Sequence, residues 1–200
     1  CRKSIDEDFL GDLRAQLHLF DDAFVIGFTG RLVRDKGIVE LIRAFHLLQE
    51  KYSNMILLLV GMLEERDALP QDVVEVIKSN RKIINTGYVS NATIEYYYAL
   101  MNCFILPSYR EGFPTSVLEA SAMELPVITT KVTGCIDSIV VGETGVYAEL
   151  DVEKLAESIE MLYRNDVLCH KYGQNGRKFV VDNFEQRIIW REIEKLYLKS

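Results

Sequence analysis

The sequence predicts a doubly wound α/β fold, in which a mainly parallel sheet is wrapped by helices. Three observations carry this. Short apolar runs alternate with amphipathic stretches about six times along the 200 residues. The runs are continuously apolar, as in strands buried on both faces of a sheet. They also close on residues such as glycine and proline, which mark turns. An alternation of this kind is the pattern of a parallel sheet with helical crossovers, and such crossovers are right-handed in nearly all folds.

The elements follow in order. Residues 1–23 are polar and charged with scattered apolar positions, and read as a linker or short helix. AFVIGFTG at 23–30 is a buried strand ending in a tight Thr-Gly turn. Ile38, Leu41, Ile42, Phe45 and Leu48 recur at helical spacing and predict an amphipathic helix over 36–52. MILLLV at 55–60 is the next strand, closed by Gly61. Val73, Val74 and Ile77 mark a short helix, and 83–86 a short strand before Gly87. A helix is predicted over 91–100 with Asn91 as its N-cap. A strand at 103–106 stops at Pro107, and a helix over 115–123 and a strand over 126–129 come next. A turn at 142–145 leads into the last short strand, 145–147. Helical stretches over 151–164, 166–182 and 184–198 close the chain, the last with Ile188, Ile189, Trp190, Ile193 and Leu196 on an apolar face. The division expected is an N-terminal segment 1–23, one α/β domain over 24–182 and a terminal helix over 183–200.

Composition narrows the function classes. With 48% hydrophobic and 26% charged residues the chain can bury a core without disulfides or metal. The net charge is −7 and the 23 Lys and Arg are scattered, which excludes the basic stripe of a nucleic-acid module. A small anion held by one or two basic residues remains compatible. The longest unbroken apolar run, 55–60, has six residues, and a bilayer-spanning helix needs about 20, so no transmembrane helix is expected. The first residues lack the apolar core of a signal peptide. The chain starts without Met and is expected to be a fragment of a longer protein. Cys1, Cys103, Cys135 and Cys169 show no CxxC spacing and the three histidines lie far apart, so no zinc or redox motif is read and a reduced, cytoplasmic compartment is expected.

Doubly wound folds bind ligands beyond the carboxyl ends of their strands, where strand order reverses. That directs attention to 30–36, 61–66, 87–89, 107–116 and 130–137. In the first, Gly30 and Arg31 to Lys36 join a strand to a helix. An Arg fork and a Lys point charge suit a diphosphate, although the run lacks Walker A spacing and also reads as a solvated basic turn. In the second loop, Glu111-Gly112-Phe113-Pro114-Thr115-Ser116 leads into a helix. Gly112 permits close backbone approach, and the amides of Phe113, Thr115 and Ser116 are expected to point outwards and attract phosphate. Glu119 lies one turn after Thr115, where a carboxylate can accept two hydrogen bonds from a ribose diol. Ser116-Val117-Leu118-Glu119 equally matches a capping box, and the residues alone leave both roles open. Cys135 reads as a packed thiol. Tyr96, Tyr97 and Tyr98 cannot all face one ligand and read as a core-and-surface helix. His18, His46 and His170 read as ordinary residues.

Taken together, GFTGRLVRDKG, LLLVG, PSYREGFPTSVLEASAMELPVITT and TGCIDSIVVGETG resemble the retaining glycosyltransferases of family 4, the glycosyl transferases group 1, over about 24–150. The likeness implies the C-terminal, donor-binding half of a GT-B enzyme, a Rossmann-like domain whose N-terminal acceptor-binding partner half is absent. It implies transfer of a sugar from a nucleoside diphosphate sugar to an acceptor hydroxyl with retention, in cell-envelope polysaccharide or glycoconjugate synthesis. By the same resemblance Arg31 and Lys36 meet the donor diphosphate, Gly30 lets the backbone approach the donor, and Glu111, the first carboxylate of the E-x7-E motif, lies near the transferred sugar. Gly112, Phe113, Pro114 and Thr115 match the phosphate loop, although Pro114 has no N–H to give, and Glu119 matches the ribose carboxylate. No metal and no cofactor are implied, the donor being a substrate. The isolated chain is expected to be inactive without its partner half, and peripheral association of the full enzyme with the cytoplasmic membrane face is left open. Two rivals are kept: a non-catalytic nucleotide-sugar-binding module, and a glycoside hydrolase using Glu111 and Glu119 as its carboxylate pair. The sequence departs from the family pattern at Glu124, where the relatives have glycine, and a positive φ there would carry a backbone cost. Asp137 stands where many relatives have Glu.

Overall fold

The computed structural model describes residues 5–184. Six strands form one sheet: β1 (Phe24–Thr29), β2 (Met55–Val60), β3 (Ile83–Gly87), β4 (Cys103–Leu106), β5 (Val127–Thr129) and β6 (Gly145–Tyr147). Every strand pair is parallel and the order is β3-β2-β1-β4-β5-β6. The predicted doubly wound sheet is therefore the one observed. All residues of β1, β2 and β4 are buried, which is why those segments carry no polar alternation. Chain order runs outwards from β1 to β3 and restarts at β4 on the other side. The β1–β4 boundary is thus the point where strand order reverses, and its carboxyl end is the predicted place for a ligand.

The helices are α1 (Glu7–Gln16), α2 (Ile38–Lys51), α3 (Gln71–Ser79), α4 (Ile94–Ala99), α5 (Thr115–Ala122), α6 (Val152–Tyr163) and α7 (Asp166–Phe184). Helix α1 forms because Asp6 caps it, accepting from the amides of Asp8 and Phe9 at 3.1 Å. Leu13 is buried beneath it and Phe9 rests on Tyr96 of α4 with ring centroids 4.4 Å apart. The helix predicted over 36–52 is divided. A 3-10 turn, Arg34–Lys36, ends at Gly37, and α2 begins after it. Gly37 has φ 68°, and a Cβ there would strike the carbonyl of Pro107, so only glycine lets the chain pivot here.

The N-cap predicted at Asn91 is not formed. The Ser90 carbonyl accepts from the amides of both Thr93 and Ile94 at 3.1 Å, which closes a turn and delays the helix to Ile94. The predicted helix over 184–198, with its Trp190 face, lies outside the described residues except for Phe184, the last residue of α7. Glu124 does adopt positive φ, 62°. Arg177 of α7 braces this bend, donating to the Ala122 carbonyl at 2.6 Å and lying 3.6 Å from the Glu124 carboxylate. No helix of the described residues is long and apolar enough to cross a membrane.

Candidate active site at the β1–β4 crevice

Two strand-to-helix loops build the site. The loop after β1 begins at Gly30, whose φ of 143° is open to glycine but strained for other residues. A Cβ at Gly30 would meet nothing nearer than the Phe28 ring at 3.4 Å, so this stretch of backbone is bare towards the cleft. Arg31 follows with its side chain 57% exposed, paired to Glu64 at 3.3 Å. The 3-10 turn then brings Lys36 inwards, where only 17% of its side chain is exposed.

The loop after β4 brings Glu111 to Lys36. The ammonium donates to Glu111 Oε1 at 2.6 Å, and the Ser108 hydroxyl donates to the same oxygen at 2.7 Å. The loop over 130–137 backs this arrangement: a Cβ on Gly134 would strike the carbonyls of Glu111 and Gly112, so the two backbones lie in close contact. Thr130 donates to the Ser108 carbonyl, and Ser138 donates to the Cys135 carbonyl at 2.8 Å. Thr130 thus helps to hold the site, while Lys131, Thr133 and Asp137 of that loop are exposed. Cys135 is fully buried, and burial pushes its thiol up, as expected for a packed residue.

Helix α5 starts at Thr115, directly beyond Pro114. Of the three amides predicted to face outwards, that of Thr115 is engaged, donating to the Phe113 carbonyl at 3.1 Å. The Val117 amide is spent on the Pro114 carbonyl at 3.0 Å, whereas those of Phe113 and Ser116 make no backbone hydrogen bond among the described residues. The capping box is not formed. Ser116 is the second residue of the helix and Pro114 occupies the cap position, with no side-chain cap bond. Glu119 instead turns across to α4, where Oε2 accepts from the Tyr98 hydroxyl at 2.8 Å.

These residues surround one cavity of about 340 Å³. Its lining includes Gly30, Arg31, Lys36, Glu111, Phe113, Pro114, Thr115 and Glu119, every predicted site residue except Gly112, which lies exposed beside it. A second hollow of about 290 Å³ shares Gly30 and Arg31 and runs between Met62, Tyr88, Val89 and Ile94, mostly apolar. It gathers the other predicted loop ends, those after β2 and β3. The site thus pairs a cationic and amide-lined pocket with an apolar one, and carries a carboxylate near each. Among the described residues no three His, Cys, Asp or Glu side chains group so as to hold a metal ion.

The family model described as "Glycosyl transferases group 1" matches residues 11–179. The chain belongs to the glycosyl transferases group 1 family. Among its relatives is the capsular polysaccharide biosynthesis glycosyltransferase CapM of Staphylococcus aureus, 42% identical over 180 residues, or 90% of this chain and 47% of CapM. Sucrose-phosphate synthase from Thermosynechococcus elongatus superposes with a TM-score of 0.81 at 28% identity, over 94% of this chain and 48% of that one. Alr3699/HepE of Anabaena, solved with UDP-glucose, has the same fold with a TM-score of 0.84 at 21% identity, over 98% of this chain and 54% of that one. This group 1 glycosyltransferase chain therefore has the Rossmann-like half of a GT-B architecture and spans about half the length of the relatives it matches.

Three residues of the candidate site escaped the sequence reading. Thr29, Tyr98 and Ser108 are buried polar residues bonded to the site or to each other. Thr29 and Ser108 sit at strand ends, where a polar residue after an apolar run is a usable signal. Tyr98 gave none, because its helical neighbours Tyr96 and Tyr97 obscure which of the three turns inwards.

Proposed function

We propose that this chain is the donor-binding half of a retaining glycosyltransferase of family 4. It takes a nucleoside diphosphate sugar and, with an acceptor-binding half, transfers the sugar to an acceptor hydroxyl in cell-envelope polysaccharide synthesis. The observation that carries the reading is the single cavity around Lys36, Arg31, Glu111, Glu119 and the α5 N-terminus. CapM is named for capsular polysaccharide synthesis and is the relative that supports the substrate class.

In this reading the diphosphate lies between Lys36, Arg31 and the unengaged Ser116 amide. These preorganised donors take up charge as the diphosphate leaves. Lys36 then serves two anions, the phosphate and Glu111, and its bond to Glu111 fixes the carboxylate beside the transferred sugar. Glu119 accepts from the ribose hydroxyls, and the apolar hollow beside Tyr88 and Val89 receives the base. No metal and no separate cofactor enter the proposal. The work is assigned to the cytoplasmic side, where activated sugars are made.

The test is calorimetric titration of the full chain with UDP and with uridine. Lys36→Ala or Arg31→Ala should weaken UDP by about 1.5–3 kcal/mol for each charged hydrogen bond removed, and leave uridine unchanged. Equal losses for both ligands would overturn the assignment. In the full-length enzyme Glu111→Gln should depress turnover while UDP binds as well as before or better.

A further inference from the structure

Glu119 is the only predicted site carboxylate whose described partner is a fully buried phenol. Tyr98 is 1% exposed, yet its hydroxyl lies 2.8 Å from Glu119 Oε2 and 2.7 Å from Thr29 Oγ1. The direction of both bonds follows from the groups themselves. A carboxylate only accepts, so the single Tyr98 proton points to Glu119, and the Tyr98 oxygen must accept from Thr29. The Ser116 carbonyl at 3.4 Å is a longer contact of the same hydroxyl. Burial and the neighbouring Glu119 charge push the phenol well up, so it is a donor at neutral pH.

The chain Thr29–Tyr98–Glu119 ties three elements together: the end of β1 next to Gly30, helix α4, and the first turns of α5. We infer that Tyr98 is a positioning residue for the donor site, holding one oxygen of Glu119 so that the carboxylate presents a fixed acceptor to the ribose diol. The inference rests on the donor-site reading above. Its physical basis is preorganisation. An exposed glutamate has several rotamers, and a ligand that must first select one binds more weakly. The Tyr98 hydroxyl makes that selection in advance, and the Thr29 hydroxyl orients the Tyr98 proton.

The test uses the full chain and calorimetry with the tightest binder among UDP, ADP and GDP, alongside its 2′,3′-dideoxy counterpart. Tyr98→Phe keeps the buried ring and removes only the hydroxyl. It should weaken the ribose form five- to tenfold and leave the dideoxy form within twofold. Thr29→Val should act in the same ligand-selective direction, by two- to threefold, and stands in if Tyr98→Phe proves too unstable to titrate. A merely structural role would move both ligands equally, and that result, or an unchanged ribose form, overturns the inference. If the native chain itself fails to distinguish the two ligands, Glu119 holds no ribose, and the donor-site reading falls together with the inference.

Discussion

Replacing Lys36 with methionine keeps most of the side chain's length and removes its charge. Glu111 now takes two donors, Lys36 Nζ at 2.6 Å and Ser108 Oγ at 2.7 Å, with 10% of its side chain exposed. The variant leaves the carboxylate with Ser108 alone. Breaking a buried pair from one side costs about 3–5 kcal/mol. The remaining hydroxyl and the partial contact with water reduce the expected loss to about 2–3 kcal/mol. In a domain of this size that is a fall in Tm of roughly 4–12 °C. Lys36→Met combined with Glu111→Gln removes the stranded charge and should recover more than half of the loss in urea unfolding. The same two proteins report on ligand binding. Lys36→Met should weaken UDP by about 1.5–3 kcal/mol, and the unpaired Glu111 charge then also repels the phosphates. The double variant should therefore bind UDP more tightly than the single one. A double variant as unstable as Lys36→Met, and no better at binding UDP, would refute the coupling.

Other predictions follow from neighbouring features. Glu64→Gln releases Arg31 from an exposed pair worth about 0–1 kcal/mol, so titration should show UDP binding up to about fivefold tighter, and a clear weakening would contradict the pairing. At Glu124, with φ 62°, Glu124→Gly and Glu124→Ala both lose the contact with Arg177. The glycine variant should nonetheless be the more stable by about 1 kcal/mol in urea; equal stabilities would deny the backbone cost. Burial raises the thiols of Cys103 and Cys135 and pushes Cys169 up to about 11, so all three stay protonated near pH 8. A thiolate-selective reagent should label them at that pH only after denaturant is added.

Strands β1, β2 and β4 were legible because each is a continuous apolar run with a turn residue behind it, and burial on both faces imposes that composition. Gly30 was legible as a turn at a strand end, whereas Gly37, with φ 68°, interrupts the helix predicted across it. Helix starts were harder. Ser116 and Glu119 have the spacing of a capping box, but Pro114 begins the helix earlier and leaves Glu119 free to meet Tyr98. The Asn91 cap failed because a turn closed by the Ser90 carbonyl uses up the residues before the helix. In both cases local spacing offered a bond that a tertiary or neighbouring contact replaced. The site was legible as a set of loop ends, since a doubly wound sheet gathers them at one edge. The hydroxyl of Tyr98 was not, because it meets Thr29 and Glu119 only through the strand order, whereas Ser108 reaches Glu111 within its own loop. Thr29 and Tyr98, for example, are 69 positions apart in sequence yet 2.7 Å apart in space.

The central claim is that the β1–β4 crevice takes a nucleoside diphosphate in one defined orientation. A crystal structure of the full chain with UDP tests it most directly. The account predicts the diphosphate within hydrogen-bonding distance of Lys36 Nζ and the Ser116 amide, the two ribose hydroxyls on Glu119, and the base in the hollow beside Tyr88 and Val89. UDP bound away from Lys36, or lying in the crevice with its ribose turned from Glu119, would contradict it.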